Sequence, residues 1–533
     1  MFRTWLHEIL TRRYPGISFD ILVPPDPAMG DFSTNIAMVA KKDAKEICDA
    51  LMADGAERIA KCDVAGPGFV NIFLKDEYLR ARLGVLDLPK IGQGKKVIVE
   101  YSAPNIAKPM SVGHLRSTII GDALANVHKA LGYDVIRWNY IGDWGTQFGK
   151  LIAAYRRYGG EKQELTVENL VAMYVRFHAE EAEHPELATL GQEEFHKLEM
   201  GDAPNRALWQ TFRNESLQEF QRMYTRLGVT FDVIKGESDY ESALAGVVAS
   251  LKPLLTASEG AQVIILDETG LPPALIVKTD GSSIYLVRDI ASLEDRINTY
   301  HPAAILYIVG NEQSLHFEQL FAIKEKMKLG DTTTVHVKFG MVLGENGKKF
   351  STRQGNVVLL DDVLDEVVRR AGERNAETAE AIGIGALKYN DLKQHPHTDI
   401  VFDWDAMLDL KGNSGPYLQY TYARLASIVV KAGEPGATAD RATLTHPAER
   451  ALLRHLIDYG WAVSQCAKLY ALNGLALYLY ELAVKANHFY EAVRINDDDN
   501  TARKSARLEL IAAVMRCLKD GLGLLGISAP ERI

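Results

Sequence analysis

The chain has 533 residues, 47% hydrophobic and 24% charged, which is the balance of an ordinary globular protein, long enough for about three domains with separate cores. Its formal net charge of -10 excludes a generic nucleic-acid coat, which needs clustered Lys and Arg, but leaves room for local basic patches. No apolar run approaches the roughly 20 residues that span a bilayer, and the opening MFRTWLHEILTRRYPG reads as a short amphipathic helix rather than a signal peptide, so a cytoplasmic protein is expected.

Residues 1–90 mix short helical patterns with strand-like pieces such as FVNIFL (69–74), as in a small α+β module. From 91 to 400 apolar strands alternate with helices, which favours a parallel sheet covered on both faces. KVIVEYS (96–102), the helix HLRSTIIGDALANVHKALG and the strand YDVIRWNYIG form one such unit; AAILYIVG (303–310), HFEQLFAIKEKMK and TTVHVKFGMV form a second. A mostly helical insert, about 150–260, lies between them. From 401 to 533 leucine, alanine and tyrosine recur at helical spacing, as in NGLALYLYELAVKANHFYEAV, and predict a helical bundle. Cys48, Cys62, Cys466 and Cys517 lack the CxxC spacing of a zinc or redox site and read as buried thiols.

Two loops carry candidate chemistry. APNIAKPMSVGHLRS (103–117) joins a strand to a helix, placing Gly113 and His114 at a helix N-terminus, where free N–H groups and the macrodipole attract anions. Pro104 and Pro109 stiffen the approach and Lys108 adds a mobile positive charge. Alone, this could equally be a capped turn. GENGKKFSTRQGN (344–356) is a flexible basic loop in the second unit, ordinarily a solvated turn. One such loop in each half of a parallel sheet instead suggests a nucleotide lying across the crevice between the halves.

SVGH (111–114) resembles the HIGH signature of class I aminoacyl-tRNA synthetases, and KFSTR (349–353) their KMSKS loop. EYSAPNIAKPMSVGHLRSTIIGDAL, NYIGDWGTQFG, IYLVRDIASL, SGPYLQYTYAR and the ending GLGLLGISAPERI are close to arginyl-tRNA synthetases; GDFSTNIAM and VAGPGFVNIFL resemble that family's N-terminal domain. The resemblance implies three parts: an N-terminal tRNA-binding module (1–90), a Rossmann-type class I catalytic domain (91–400) and a helical anticodon-binding domain (401–533). It also implies an arginine–tRNA ligase that activates L-arginine with ATP and Mg²⁺ and charges tRNA(Arg), working as a monomer.

Residue roles implied by the resemblance follow the motifs. Lys108, Ser111, His114 and Lys349 would be catalytic; Gly113, His316 and Ser351 would join them around ATP. Glu100, Asn105, Tyr285, Asp289 and Gln313 would hold arginine, because a planar guanidinium with five donors calls for carboxylates in its plane. Tyr417 and Arg424 would touch tRNA, while Tyr420 on the same helix reads as core. The plainer readings make Glu100 an edge-strand surface charge, Asp289 a cap or a partner of Arg288, and His316 a cap or packed ring. Two positions depart from the family pattern. Thr352 stands where KMSKS has its second lysine, a charge that Lys108 would replace, and Ser111 stands where HIGH has its first histidine. A serine hydroxyl cannot carry charge, and losing a charge-assisted bond to phosphate costs about 1.5–3 kcal/mol, so activation is expected to be slower. A catalytically weakened tRNA-binding paralogue is the competing expectation.

Overall fold

The computed structural model describes residues 1–162, 164–279, 285–344, 358–433 and 438–533. Lys349, Ser351 and Thr352 therefore lie outside the described residues. The chain divides into two compact units, one made of Met1–Pro89 with Leu408–Ile533 and the other of Lys90–Met407.

The unit Lys90–Met407 is built on five parallel strands: β1 (Lys96–Glu100), β2 (Asp134–Ile141), β3 (Val233–Gly236), β4 (Ala304–Gly310) and β5 (Thr333–Phe339). Their spatial order is β5-β4-β1-β2-β3. The β-branched runs that form them are buried, as for Ile98, Val99, Ile305 and Leu306, because helices cover both faces. Those used below are α1 (Val112–Ala130), α2 (Ala203–Leu227), α3 (Tyr285–Tyr300) and α4 (Ser314–Met327). The chain leaves β1 toward β2 on one side, while β4 and β5 lie on the other. The order thus reverses between β1 and β4, and a crevice opens at the carboxyl ends of these strands.

Glu100 ends β1, paired in register with Trp138 on one side and Tyr307 on the other. It therefore sits in the middle of the sheet and is buried, which overturns its reading as an edge-strand surface charge. The insert begins as expected with helices Thr146–Arg157, Val167–Glu181, Glu186–Glu199 and α2. It then departs from that pattern, because Val233–Gly236 joins the central sheet as β3 and an antiparallel sheet follows at Leu255–Ser258, Ala261–Ile264 and Ala274–Val277. Four residues are too few to display a strand period, so this strand hides in a helical stretch.

In the other unit, strands Ile21–Leu22, Phe32–Thr34, Phe69–Leu74 and Ile59–Ala65 form an antiparallel sheet in that order. Beyond residue 407 the described residues hold helices and no strand, including α5 (Gly415–Ala432) and α6 (Asn473–Ala492). Arg450 grips Asp31 with two 2.8 Å bonds, and Arg454 donates to the Asp31 carbonyl at 2.8 Å, tying helix Pro447–Leu456 to this sheet. Cys48 and Cys62, distant in sequence pattern, bring their sulfurs to 2.7 Å. Burial raises the pKa of all four thiols, which keeps them protonated and poorly nucleophilic.

Candidate functional site

The loop from β1 to α1 is strained and held. Ser102 (φ 75), Ala103 (φ 48) and Ala107 (φ 56) all occupy the left-handed region without being glycine, at about 1–3 kcal/mol each. Each strained residue has its N–H caught by a side chain from elsewhere. Ser102 donates to Ser117 Oγ (2.9 Å), Ala103 to Asn139 Oδ1 (3.1 Å) and Ala107 to Ser216 Oγ on α2 (2.8 Å). The backbone at Pro104 and Ile106 also pairs with Gly142, past the end of β2. In this way the sheet and two helices fix the loop before any ligand arrives.

The loop ends in Ser111, the N-cap of α1, so that Gly113 and His114 occupy the second and third helical positions. The Ser111 N–H donates to His114 Nδ1 (3.0 Å), and the Ser111 hydroxyl lies 3.1 Å from the same nitrogen. Because a backbone N–H can only donate, Nδ1 accepts, and the proton of the neutral ring sits on Nε2. Burial lowers the pKa of His114, with Lys108 adding to the effect, so the ring is a neutral donor. Ser111 thus has its hydroxyl engaged with His114. A Cβ on the exposed Gly113 would meet nothing nearer than Ser111 Oγ at 3.4 Å, so the space over it is open. Lys108 is exposed.

Beside this loop, at the carboxyl ends of β1 and β4, is a cavity of about 280 Å³. Glu100, Asn105, Tyr285, Asp289 and Gln313, the five expected arginine-binding residues, all line it. So does His316, expected around ATP. Its Nε2 lies 2.7 Å from Asp289 Oδ2, so neither a bare cap nor a packed ring describes it. Arg288, the alternative partner for Asp289, instead binds Glu241 at 2.7 Å. Burial pushes the Asp289 pKa up, and His316 pulls it back.

Two further lining residues escaped the sequence reading. Arg296 forms an ion pair with Glu100, and their side chains are 1% and 6% exposed. Glu237 follows β3 and is pushed up to about 8, first by burial and next by the Asp289 charge, while the Tyr285 hydroxyl donates to it. The turn carrying Glu237 is clamped by Asp143, which accepts from Ser238 N–H, Ser238 Oγ and Arg213 Nε, each at 2.9 Å. The spacing of Tyr285, Asp289, Ser292 and Arg296 along α3, a 4-3-4 repeat, was the available signal for Arg296. Glu237 offered no such signal, because its strand is too short to recognise.

In the other unit, Tyr417, Tyr420 and Arg424 share a face of α5. Asn487 on α6 donates to the Tyr417 hydroxyl (3.0 Å) and accepts from Arg424 (3.0 Å). Tyr420 is 38% exposed, which corrects its reading as core. The Arg424 guanidinium lies 4.9 Å from its ring centroid, so a charge sits over the ring.

Comparisons with known proteins cover the same regions. The family described as tRNA synthetases class I (R), catalytic domain, matches residues 82–404. The DALR anticodon binding domain matches 418–533 and the arginyl tRNA synthetase N terminal domain 2–74. The chain is 40% identical over 545 residues to an arginine–tRNA ligase of Clostridium perfringens, covering 96% of each. It is 43% identical over 463 residues to one of Chloroflexus aggregans, covering 83% of this chain and 80% of that one. A solved arginyl-tRNA synthetase from Thermus thermophilus superposes with a TM-score of 0.86 at 26% identity, with all of both chains covered. One from Plasmodium falciparum gives 0.83 at 27% identity, covering 100% of this chain and 98% of that one.

Proposed function

Because the chain belongs to the arginyl-tRNA synthetase family and is an arginine–tRNA ligase, like relatives 40% identical over 96% of its length, we propose that the acidic cavity seats the guanidinium of L-arginine while the Ser111–His114 loop holds ATP. In the first step a carboxylate oxygen of arginine attacks the α-phosphorus, the bond to the β-phosphate bridge breaks, and pyrophosphate leaves. In the second step a hydroxyl of the terminal tRNA ribose attacks the arginyl carbonyl and AMP leaves. The attacking carboxylate is already ionised, so no general base is needed at the start. The rate comes from positioning and from stabilising charge on the phosphates.

His114 suits that work as a neutral Nε2–H donor, held by Ser111. Lys108 would bring a charge from the loop, with Lys349 and Ser351 assigned through the motif alone. Asn105 and Gln313 would hold the amino-acid end of arginine and Tyr285 its side chain. Mg²⁺ would be bound through the phosphate oxygens it favours. Among the described residues no group of three or more carboxylate, histidine or cysteine side chains forms a cage of its own. The observation that carries the reading is a pair of acidic side chains, Glu237 buried and Asp289 12% exposed, lining one cavity of about 280 Å³. A second fork cation satisfies both, and an apolar amino acid would satisfy neither.

Tyr417, Arg424 and the exposed Tyr420 would stack splayed bases of the tRNA(Arg) anticodon loop. A monomer in the cytoplasm completes the proposal; no helix among the described residues is long and apolar enough to cross a membrane. A catalytically weakened paralogue finds no support among relatives that are named arginine–tRNA ligase. The test is ATP–pyrophosphate exchange with arginine, lysine or citrulline, each with and without tRNA(Arg). Exchange that depends on arginine alone is expected; equal exchange with citrulline, which is neutral, would overturn the acidic-pocket assignment.

A further inference from the structure

We propose that Arg296 is a specificity-determining residue: a guanidinium built into the cavity wall that takes Glu100 as its own counterion and leaves Asp289 and Glu237 as the carboxylates open to the ligand. This rests on the reading of the cavity as the arginine pocket.

Tyr285, Asp289, Ser292 and Arg296 form one stripe along α3, and all four line the cavity. Arg296 ends that stripe. Its guanidinium carbon lies 4.6 Å from the Trp138 ring centroid, 5.4 Å from Tyr307 and 5.6 Å from Tyr140, so aromatic faces surround it. Its three side-chain nitrogens are buried without hydrogen bonds of good geometry among the described residues. What holds it is the Glu100 charge and the ring quadrupoles. Other groups facing it are Asp289 and Tyr240.

The charge balance gives the arrangement its purpose. Glu100, Glu237 and Asp289 surround a space of about 280 Å³. With Glu100 free, three carboxylates would compete for one ligand cation, and the acid in the middle of the sheet would draw it inward past Asp289. Arg296 cancels that attraction and fills the volume where a second guanidinium would go. Pocket depth is then set by a side chain of the same chemistry as the ligand. A longer cation finds the inner position taken, and a shorter one falls short of Asp289.

A double-mutant cycle on the full-length protein, read as arginine KM in ATP–pyrophosphate exchange, tests this. Arg296→Met should raise arginine KM about a hundredfold, because the freed Glu100 charge draws the guanidinium inward past Asp289, which then no longer holds it. Glu100→Gln should raise it by a similar factor, through the uncompensated Arg296 charge. The double variant, neutral and of similar shape, should lie closer to the native protein than either single one, with ATP KM unchanged throughout. In Arg296→Ala, free guanidinium chloride should restore part of the arginine affinity, and homoarginine should gain on arginine. If Glu100 itself grips the ligand, Arg296→Met is mild and the double variant is as poor as Glu100→Gln; that result overturns the proposal. Should the methionine variant not fold, Arg296→Lys keeps the charge and is expected to hold arginine KM within about fivefold, whereas a hundredfold rise would count against a counterion role. Failure of the pocket reading is distinguishable, because Asp289→Ala would then leave arginine KM unchanged.

Discussion

Helices α1 and α4 each follow a strand of the central sheet and each carries a histidine as its third residue, His114 in one and His316 in the other. The backbone position is the same, yet the rings are used differently. His114 is held by Ser111, three residues earlier, so its tautomer is set by a local motif. His316 is held by Asp289, a carboxylate 27 residues away on another helix. A locally held ring can serve as a neutral donor to phosphate, while a ring bound to a carboxylate orients that carboxylate for a cation. The comparison shows one element of the fold supplying two kinds of recognition according to where the second partner comes from.

The largest effect should come from breaking the long-range pair. Asp289→Ala leaves His316 without its acceptor and the ligand cation without its main carboxylate, so arginine KM should rise a hundredfold or more, from about 3–5 kcal/mol. ATP KM should stay within about twofold; equal damage to both would remove Asp289 from the pocket.

The next effect is on pH. Glu237, raised to about 8, carries its proton in most ligand-free molecules at pH 7, and binding a guanidinium must expel it. Arginine affinity should therefore climb with pH up to about 8 and level off above. Calorimetry in buffers of different ionisation enthalpy should show proton release near pH 7, and Glu237→Gln should abolish both effects. The same shift makes the free protein lose stability from this group as pH rises from 4.5 through about 8.

The local pair should yield less. Ser111→Ala removes the hydroxyl beside His114 but keeps the backbone donor, so exchange should slow by about three- to tenfold, in line with about 1 kcal/mol for a cap. An unchanged rate would mean that the backbone N–H alone sets the ring. The smallest change in rate is expected from Ser216→Ala, which leaves the Ala107 N–H without its acceptor. Thermal unfolding should register about 1–3 kcal/mol, with only a modest loss of exchange activity.

The same contrast explains what could be read in advance. Strands, helix starts and the Ser111–Gly113–His114 loop depend on neighbours within a few residues, and they were legible. The cavity residues Glu100, Asn105, Tyr285, Asp289 and Gln313 came from motif resemblance, and the structure brings them together around one space. Glu237 stayed hidden because its strand has four residues and its clamp, Asp143, comes from the end of a different strand. Arg296 hid for another reason. Its partner Glu100 looked like a ligand-binding acid, and nothing local in Glu100 betrays that its charge is already spoken for.

The loop behind Pro104 has a consequence for heat. Three residues with unfavourable backbone angles are each kept in place by a bond to a side chain rooted elsewhere, so losing these bonds together lets the segment relax to a more comfortable shape while the sheet beneath stays intact. On warming, catalysis should fade several degrees before the main calorimetric transition, a gap visible by running turnover and scanning calorimetry side by side.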